Sequence, residues 1–167
     1  MQARSTNQFH VWNPSFEASG DVPSPGIIAN GAISGWASTG TVGVNRSGQD
    51  LADSGVNPDQ DHVAILKGLS SLSQTLSNLV VGQPYQIIYS YNAGSLGFPG
   101  FRVTAGGSVL LDDGPVSVGG SEPYYRVTNE WVATSASAEL KFEQYDGDAN
   151  SVIMLDDVQV VGQSLPP

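Results

Sequence analysis

The apolar and polar positions of this chain alternate in short runs, the pattern of many brief β-strands. Tyr85, Ile87, Tyr89 and Tyr91 fall on one face of a strand, with Gln86, Ile88, Ser90 and Asn92 on the other. Phe101, Val103 and Ala105 against Arg102 and Thr104 repeat that division, as do Leu140 and Phe142 against Lys141 and Glu143. Gly68, Gly82-Gln83-Pro84 and Gly106-Gly107 punctuate the runs as turns. Further strands are expected at Gly35–Ser38, Val42–Asn45, Val63–Leu66, Leu72–Leu76, Val109–Leu111 and Tyr124–Ala133, after a first extended segment over 8–17. Residues 18–34 read as a loop, and the acidic stretch from Ser47 to Asp61 is too polar for a core. No convincing amphipathic helix is present, so the expected class is all-β, a sandwich or jelly roll of antiparallel sheets.

One strand breaks its own pattern. Ser151 to Val161 is rich in branched residues and free of Gly and Pro, yet Asp156 and Asp157 stand side by side between Leu155 and Val158. Two carboxylates at the edge of a core need a cation, N–H donors or water. Strict alternation sends them to opposite faces, so only one can turn toward the first segment, Asn13-Pro14-Ser15-Phe16-Glu17.

Composition narrows the function. The 167 residues suit a single module over 1–162, with 163–167 as a linker stub because Ser164-Leu165-Pro166-Pro167 reads as the start of a Pro-rich connection to other domains. Sixteen acidic residues against six basic ones give a net charge of −10, which disfavours nucleic acid and anionic membrane surfaces as partners. No apolar run approaches the roughly 20 residues of a membrane-spanning helix. Zero cysteines exclude a disulfide scaffold. The two histidines lack the spacing of a zinc site, no Gly-x-Ser-x-Gly elbow or phosphate loop occurs, and the neighbours Asp61 and His62 point to opposite sides of a strand. Glycoside hydrolysis needs two facing carboxylates, and Glu143 has no evident partner on its face.

Several fragments taken in order, Asn13-Pro14-Ser15-Phe16-Glu17, Ile33-Ser34-Gly35-Trp36, Leu72–Leu76, Gly82-Gln83-Pro84-Tyr85, Phe98–Val103 and Leu155-Asp156-Asp157-Val158, carry a resemblance. Over about residues 8–162 the chain resembles jelly-roll carbohydrate-binding modules of the galactose-binding-like superfamily, including families four, nine and twenty-two. The resemblance implies a structural Ca²⁺ held by Glu17 and Asp156, and hard oxygen ligands from both chain ends suit that ion. Carboxylates that merely face water are the other reading. It also implies a saccharide site on the polar sheet face, where Gln86, Ser90, Asn92, Arg102, Thr104, Lys141, Glu143 and Tyr145 would gather. Glu143 stands where family twenty-two modules place a ligand-contacting Glu. Sugar rings need aromatic faces to stack on. Trp36, beside a glycine, is expected to cap that face, and one of Tyr124 and Tyr125 must be exposed, which adds Tyr124 as a contact. Trp12 is expected at the sandwich edge and Trp131 in the core; an ordinary solvated face is the alternative for the whole site.

The expected function is therefore a non-catalytic module of an exported or cell-surface bacterial protein that targets an attached enzyme to a polysaccharide. Phe98–Val103 is also similar to a stretch of calcium-dependent indole-alkaloid cyclases built on this jelly roll. Their pocket acid stands two positions before the closing Asp, where this chain has Met154. A cyclase, or a structural adhesion domain, is the alternative.

Overall fold

The computed structural model describes residues 11–14, 16, 33–46, 62–94, 97–116 and 124–163. Among the described residues eight strands form: β1 (Ala37–Arg46), β2 (His62–Leu76), β3 (Pro84–Ala93), β4 (Gly100–Ala105), β5 (Ser108–Asp113), β6 (Tyr125–Val132), β7 (Ala138–Asp146) and β8 (Val152–Gly162). All pairs are antiparallel, in the order β5-β4-β7-β2-β8-β3-β6, with β1 along the other edge of β2.

The two layers arise from β2. Its C-terminal half, Ser70–Leu76, pairs with β7, and its N-terminal half, Ala64–Lys67, pairs with β8. Between them Gly68 takes a φ of +60° that a side chain would resist, and β2 spends four residues, Ser71 to Lys67, while β1 spends two, Thr39 to Thr41. The turn expected at Gly68 is thus a corner inside one continuous strand. The two short strands expected before it are likewise one strand, β1, bent at Gly40. We call β5-β4-β7-β2 the front sheet and β2-β8-β3-β6 the back sheet.

The sheets face each other across an aromatic core. Tyr89 and Tyr91 of β3 lie 5.2 Å from Phe142 and 4.8 Å from Phe101 between ring centroids, and Phe16, Trp36 and the aliphatic residues of β2 and β8 fill the rest. Burying one such side chain contributes about 1.5–3 kcal/mol. Tyr89 and Tyr91 keep their hydroxyls satisfied at the rim, donating to Asn129 and Asp113 at 2.7 Å each.

The last strand does not alternate strictly. Ile153 and Leu155 face the core, but so do Val158 and Val160, so the parity changes between them. The register explains it: β3 advances two residues from Ile88 to Ser90 while β8 retreats three, from Gln159 to Asp156. The extra residue is Asp157, at φ +49°, a left-handed conformation that Asp tolerates better than most. The expectation that alternation separates the two carboxylates is replaced by a bulge. Asp156 lies fully buried on the outer side of the back sheet, and Asp157 turns along the surface to Arg126, 2.7 Å away.

The chain ends do meet at this bulge. The Val158 N–H donates to the Pro14 carbonyl at 3.0 Å. Gln74 of β2 clamps the same segment, accepting from the Trp12 N–H at 2.7 Å and donating to the Trp12 and Gly35 carbonyls at 2.9 Å each.

Candidate functional site

The polar face expected as one surface is divided between the two sheets. Arg102 and Thr104 of β4, Lys141, Glu143 and Tyr145 of β7, and Asp112 of β5 lie on the outer face of the front sheet, beside Ser71, Ser73 and Thr75 of β2. Gln86, Ser90 and Asn92 belong to β3, in the back sheet, and look outward on the opposite side of the molecule. Period-two patterning assigns each residue to the inside or outside of its strand, but it does not say which layer the strand joins.

On the front face the chemistry converges. The Arg102 guanidinium sits 4.2 Å from the centroid of the Tyr145 ring, 3.3 Å from Asp112 and 3.6 Å from Glu143. Lys141 approaches Glu143 at 3.6 Å. The Tyr145 hydroxyl donates to Asp112 at 2.6 Å. That hydrogen bond, and Arg102 after it, holds the Asp112 carboxyl below the usual carboxylate range, while the same bond raises the Tyr145 phenol. Hydroxyls at Thr39 and Ser71, 2.6 Å apart, extend the face toward β1. The assembly is partly exposed and charged, with one aromatic ring already covered on one side by a guanidinium. It can hydrogen-bond a polyol through planar groups, while its stacking surface is small.

The remaining predicted contacts lie elsewhere. Trp36 does not cap a face: it is 4% exposed, wedged between Phe16 and Phe142 at 5.6 and 6.0 Å, and its indole N–H donates to the Asn13 carbonyl at 3.1 Å. Asn92 is fully buried and accepts from the Ala93 N–H. Of the tyrosine pair, Tyr125 is the exposed member and Tyr124 the buried one, its hydroxyl against the Met154 sulfur at 3.5 Å. Burial, with the Asp156 carboxylate nearby, pushes the Tyr124 phenol well above its ordinary value. Tyr124, Met154, Val63, Ile65 and Val152 form a small second core on the outer side of the back sheet, next to Asp156. Trp131 is in the main core as expected.

Glu17 lies outside the described residues. Asp156 accepts from the Asp157 N–H at 2.8 Å. Both oxygens of Asp157 are engaged, by Arg126 and by the Gln159 amide. Among the described residues no three acidic or imidazole side chains come together as a metal-binding group.

Three features escaped sequence reasoning. Trp12 is 63% exposed, its ring resting on Gly35, where an added Cβ would fall 1.7 Å from the indole. Its order comes from Gln74, 62 residues away, which no local pattern announces. Asp112 joins the front face through the β4–β5 pairing. A cleft of about 360 Å³ opens at the β2 corner, lined in part by Thr41, Lys67, Leu69 and Asp148. Its position follows from the bend at Gly68, which reads in sequence as an ordinary turn.

No protein-family model matches the chain, and no curated protein matches it in sequence. Solved structures do match in shape. A Stig cyclase, Fisc from Fischerella sp. TAU, in complex with (3Z)-3-(1-methyl-2-pyrrolidinylidene)-3H-indole, superposes with a TM-score of 0.73 at 18% identity, covering 95% of this chain and 98% of that one. A cyclase from Fischerella sp. TAU in complex with 4-(1H-indol-3-yl)butan-2-one gives 0.74 at 19% identity over 99% and 100%. TmCBM61 in complex with β-1,4-galactotriose gives 0.60 at 15% identity over 93% and 99%. The architecture is a β-sandwich jelly roll, a fold this chain shares with these cyclases and with TmCBM61.

Proposed function

We propose that this chain is a non-catalytic saccharide-binding module of an exported or surface-attached protein, with its ligand lying across the outer face of the front sheet. The observation that carries the reading is the convergence of Arg102, Glu143, Tyr145 and Asp112 on one accessible face, a set of planar hydrogen-bonding groups beside an aromatic ring. The interior argues in the same direction. Of the three residues around which a cyclase pocket is expected, Trp36 packs on Phe142 and Tyr91 on Phe101 while Phe98 is exposed, and the position expected for a pocket acid is the buried Met154. TmCBM61, captured with a galactotriose, shows that this fold can hold a sugar chain.

A calcium ion tying the two chain ends is part of the proposal. Asp156 is a fully buried carboxylate one residue from the bulge, whose neighbour Val158 bonds to Pro14, and a buried carboxylate is the donor a hard cation takes. The other ligands would be Glu17 and main-chain carbonyls. The ion would stabilise the sandwich and play no part in recognising the ligand.

Glycan-array or affinity-gel binding tests the function. Retention on at least one plant, algal or microbial polysaccharide is expected, and Arg102→Ala combined with Tyr145→Ala should weaken it at least tenfold while leaving the fold intact. Background binding to every polysaccharide would sink the reading. Turnover of an indole substrate without saccharide binding would install the cyclase in its place.

A further inference from the structure

The cleft at the β2 corner adjoins the proposed saccharide face. The register that sets Thr39 opposite Ser71 continues, across the corner, by setting Thr41 opposite Lys67. Gly147, Asp148 and Ala149 of the β7–β8 connection close the far wall, two residues beyond Tyr145. Its form is built into the backbone. Gly40, Gly68 and Gly147 all hold positive φ values, +70°, +60° and +122°, and all three line the cleft. At about 360 Å³ it falls at the small end of ligand sites.

Its charges are unusual for this protein. Of the six basic residues, four have described side chains: Lys67, Arg102, Arg126 and Lys141. Arg102 pairs with Asp112 and Glu143, Arg126 with Asp157, and Lys141 with Glu143. Lys67 alone among these four forms no ion pair. The one carboxylate in the cleft wall, Asp148, is turned to its own loop, where one oxygen accepts the N–H groups of Asn150 and Ser151 at 2.8 and 3.0 Å. A surface so acidic would ordinarily supply a lysine with a partner. Here Lys67 lines a concave space together with Thr41, its partner across the ladder, and Leu69, 65% exposed, offers an apolar rim for the C–H face of a ring.

We infer that the cleft takes an acidic sugar residue, a uronate whose carboxylate pairs with Lys67 at the end of a chain lying on the front face. The inference rests on the saccharide-binding reading and adds to it the class of ligand. The net charge of −10 sharpens it further. A continuous polyuronate would be repelled by the molecule as a whole, whereas one carboxylate among neutral sugars meets only the local cation, within a Debye length of about 8 Å at physiological salt. Lys67 is thereby a specificity-determining residue.

The experiment compares pairs of oligosaccharides that differ only in a terminal residue, either a uronate or its carboxyl-reduced neutral counterpart, together with sodium polygalacturonate. For at least one pair the uronate is expected to bind ten times more tightly, with amide shifts at Lys67, Gly68 and Leu69 in NMR titration. Lys67→Met should bring its affinity down to that of the neutral partner, and Lys67→Arg should keep most of the difference. Polygalacturonate should bind more weakly than the singly charged ligand at low salt. Equal binding within every pair, or discrimination that survives Lys67→Met, overturns the inference while leaving the saccharide reading standing. Absence of binding to every oligosaccharide removes both.

Discussion

The two outer faces of the sandwich are made from the same kind of alternating strand, and they have opposite characters. The front face presents Arg102, Asp112, Lys141, Glu143 and Tyr145 in a partly exposed lattice of ion pairs. The back face buries the outward residues at its centre: Ser90, Asn92 and Asp156 are at most 2% exposed, beside the apolar cluster of Val63, Ile65, Tyr124, Val152 and Met154, while Arg126, Thr128, Glu130 and Gln159 toward its edge stay exposed. An outward side chain on the front sheet is thus available to a ligand, and at the centre of the back sheet it is structural. Alternation tells inside from outside of a strand. It does not tell whether a second layer covers the outside.

Substitutions separate the two faces most sharply. Met154→Ala empties part of the back-face cluster and should cost about 2–5 kcal/mol, as buried Met-to-Ala changes do. At this chain length each kcal/mol moves Tm by about 2–4 °C, so a fall of several degrees in thermal unfolding is expected. A change within a degree would mean that the back face is as open as the front.

Calcium comes next. If Asp156 and Glu17 bind the ion, calcium at about one hundred times its dissociation constant stabilises the native state by ~2.7 kcal/mol. Unfolding with chelator should then begin several degrees earlier, and Asp156→Asn should abolish the difference. Identical curves with and without chelator would return Asp156 to a hydrogen-bonding role alone.

The front face should respond in function more than in stability. Arg102→Ala is expected to shift Tm by no more than about two degrees, the usual range for a surface change, while saccharide retention falls several-fold. Trp12→Ala sharpens the same contrast. Its ring is exposed and its main chain is held by Gln74, so a loss of affinity without a loss of folding would extend the site to that ring.

The smallest effect concerns acid. Because Asp112 titrates below the ordinary carboxylate value, its contribution is fully present above about pH 4 and fades as pH falls through the lower folded value. Asp112→Asn should therefore lower the neutral plateau of the Tm profile slightly and flatten its acid limb, because the contribution it removes is the one that acid already removes. An unaltered limb would show that Tyr145 and Arg102 do not hold this carboxylate in solution.

Much of the fold was legible in the residues. The tyrosines of β3, Phe101-Val103-Ala105 and Leu140-Phe142 announced core faces, and all of them are buried. Gly68 misled because a left-handed glycine reads the same whether a strand ends or turns a corner; only the pairing of both halves with β1 distinguishes the cases. Trp36, expected to cap a face, is buried for a related reason, while Trp12 stays exposed. Each adjoins loop sequence, and which one is covered depends on Phe16 and Phe142, distant in sequence, and on a clamp from Gln74. The candidate site was half legible. Arg102, Glu143 and Tyr145 come together because β4 and β7 are neighbours, whereas Asn92 and Tyr124 fall in the other layer.

The corner at Gly68 has a consequence for how the molecule opens. Since β2 carries ladder hydrogen bonds to both sheets, neither layer can peel away as a separate unit without breaking the strand they hold in common. Amide protons of β2, β7 and β8 should therefore exchange with solvent in one slow, shared event, while those of the outlying β5 and β6 exchange first through local fraying.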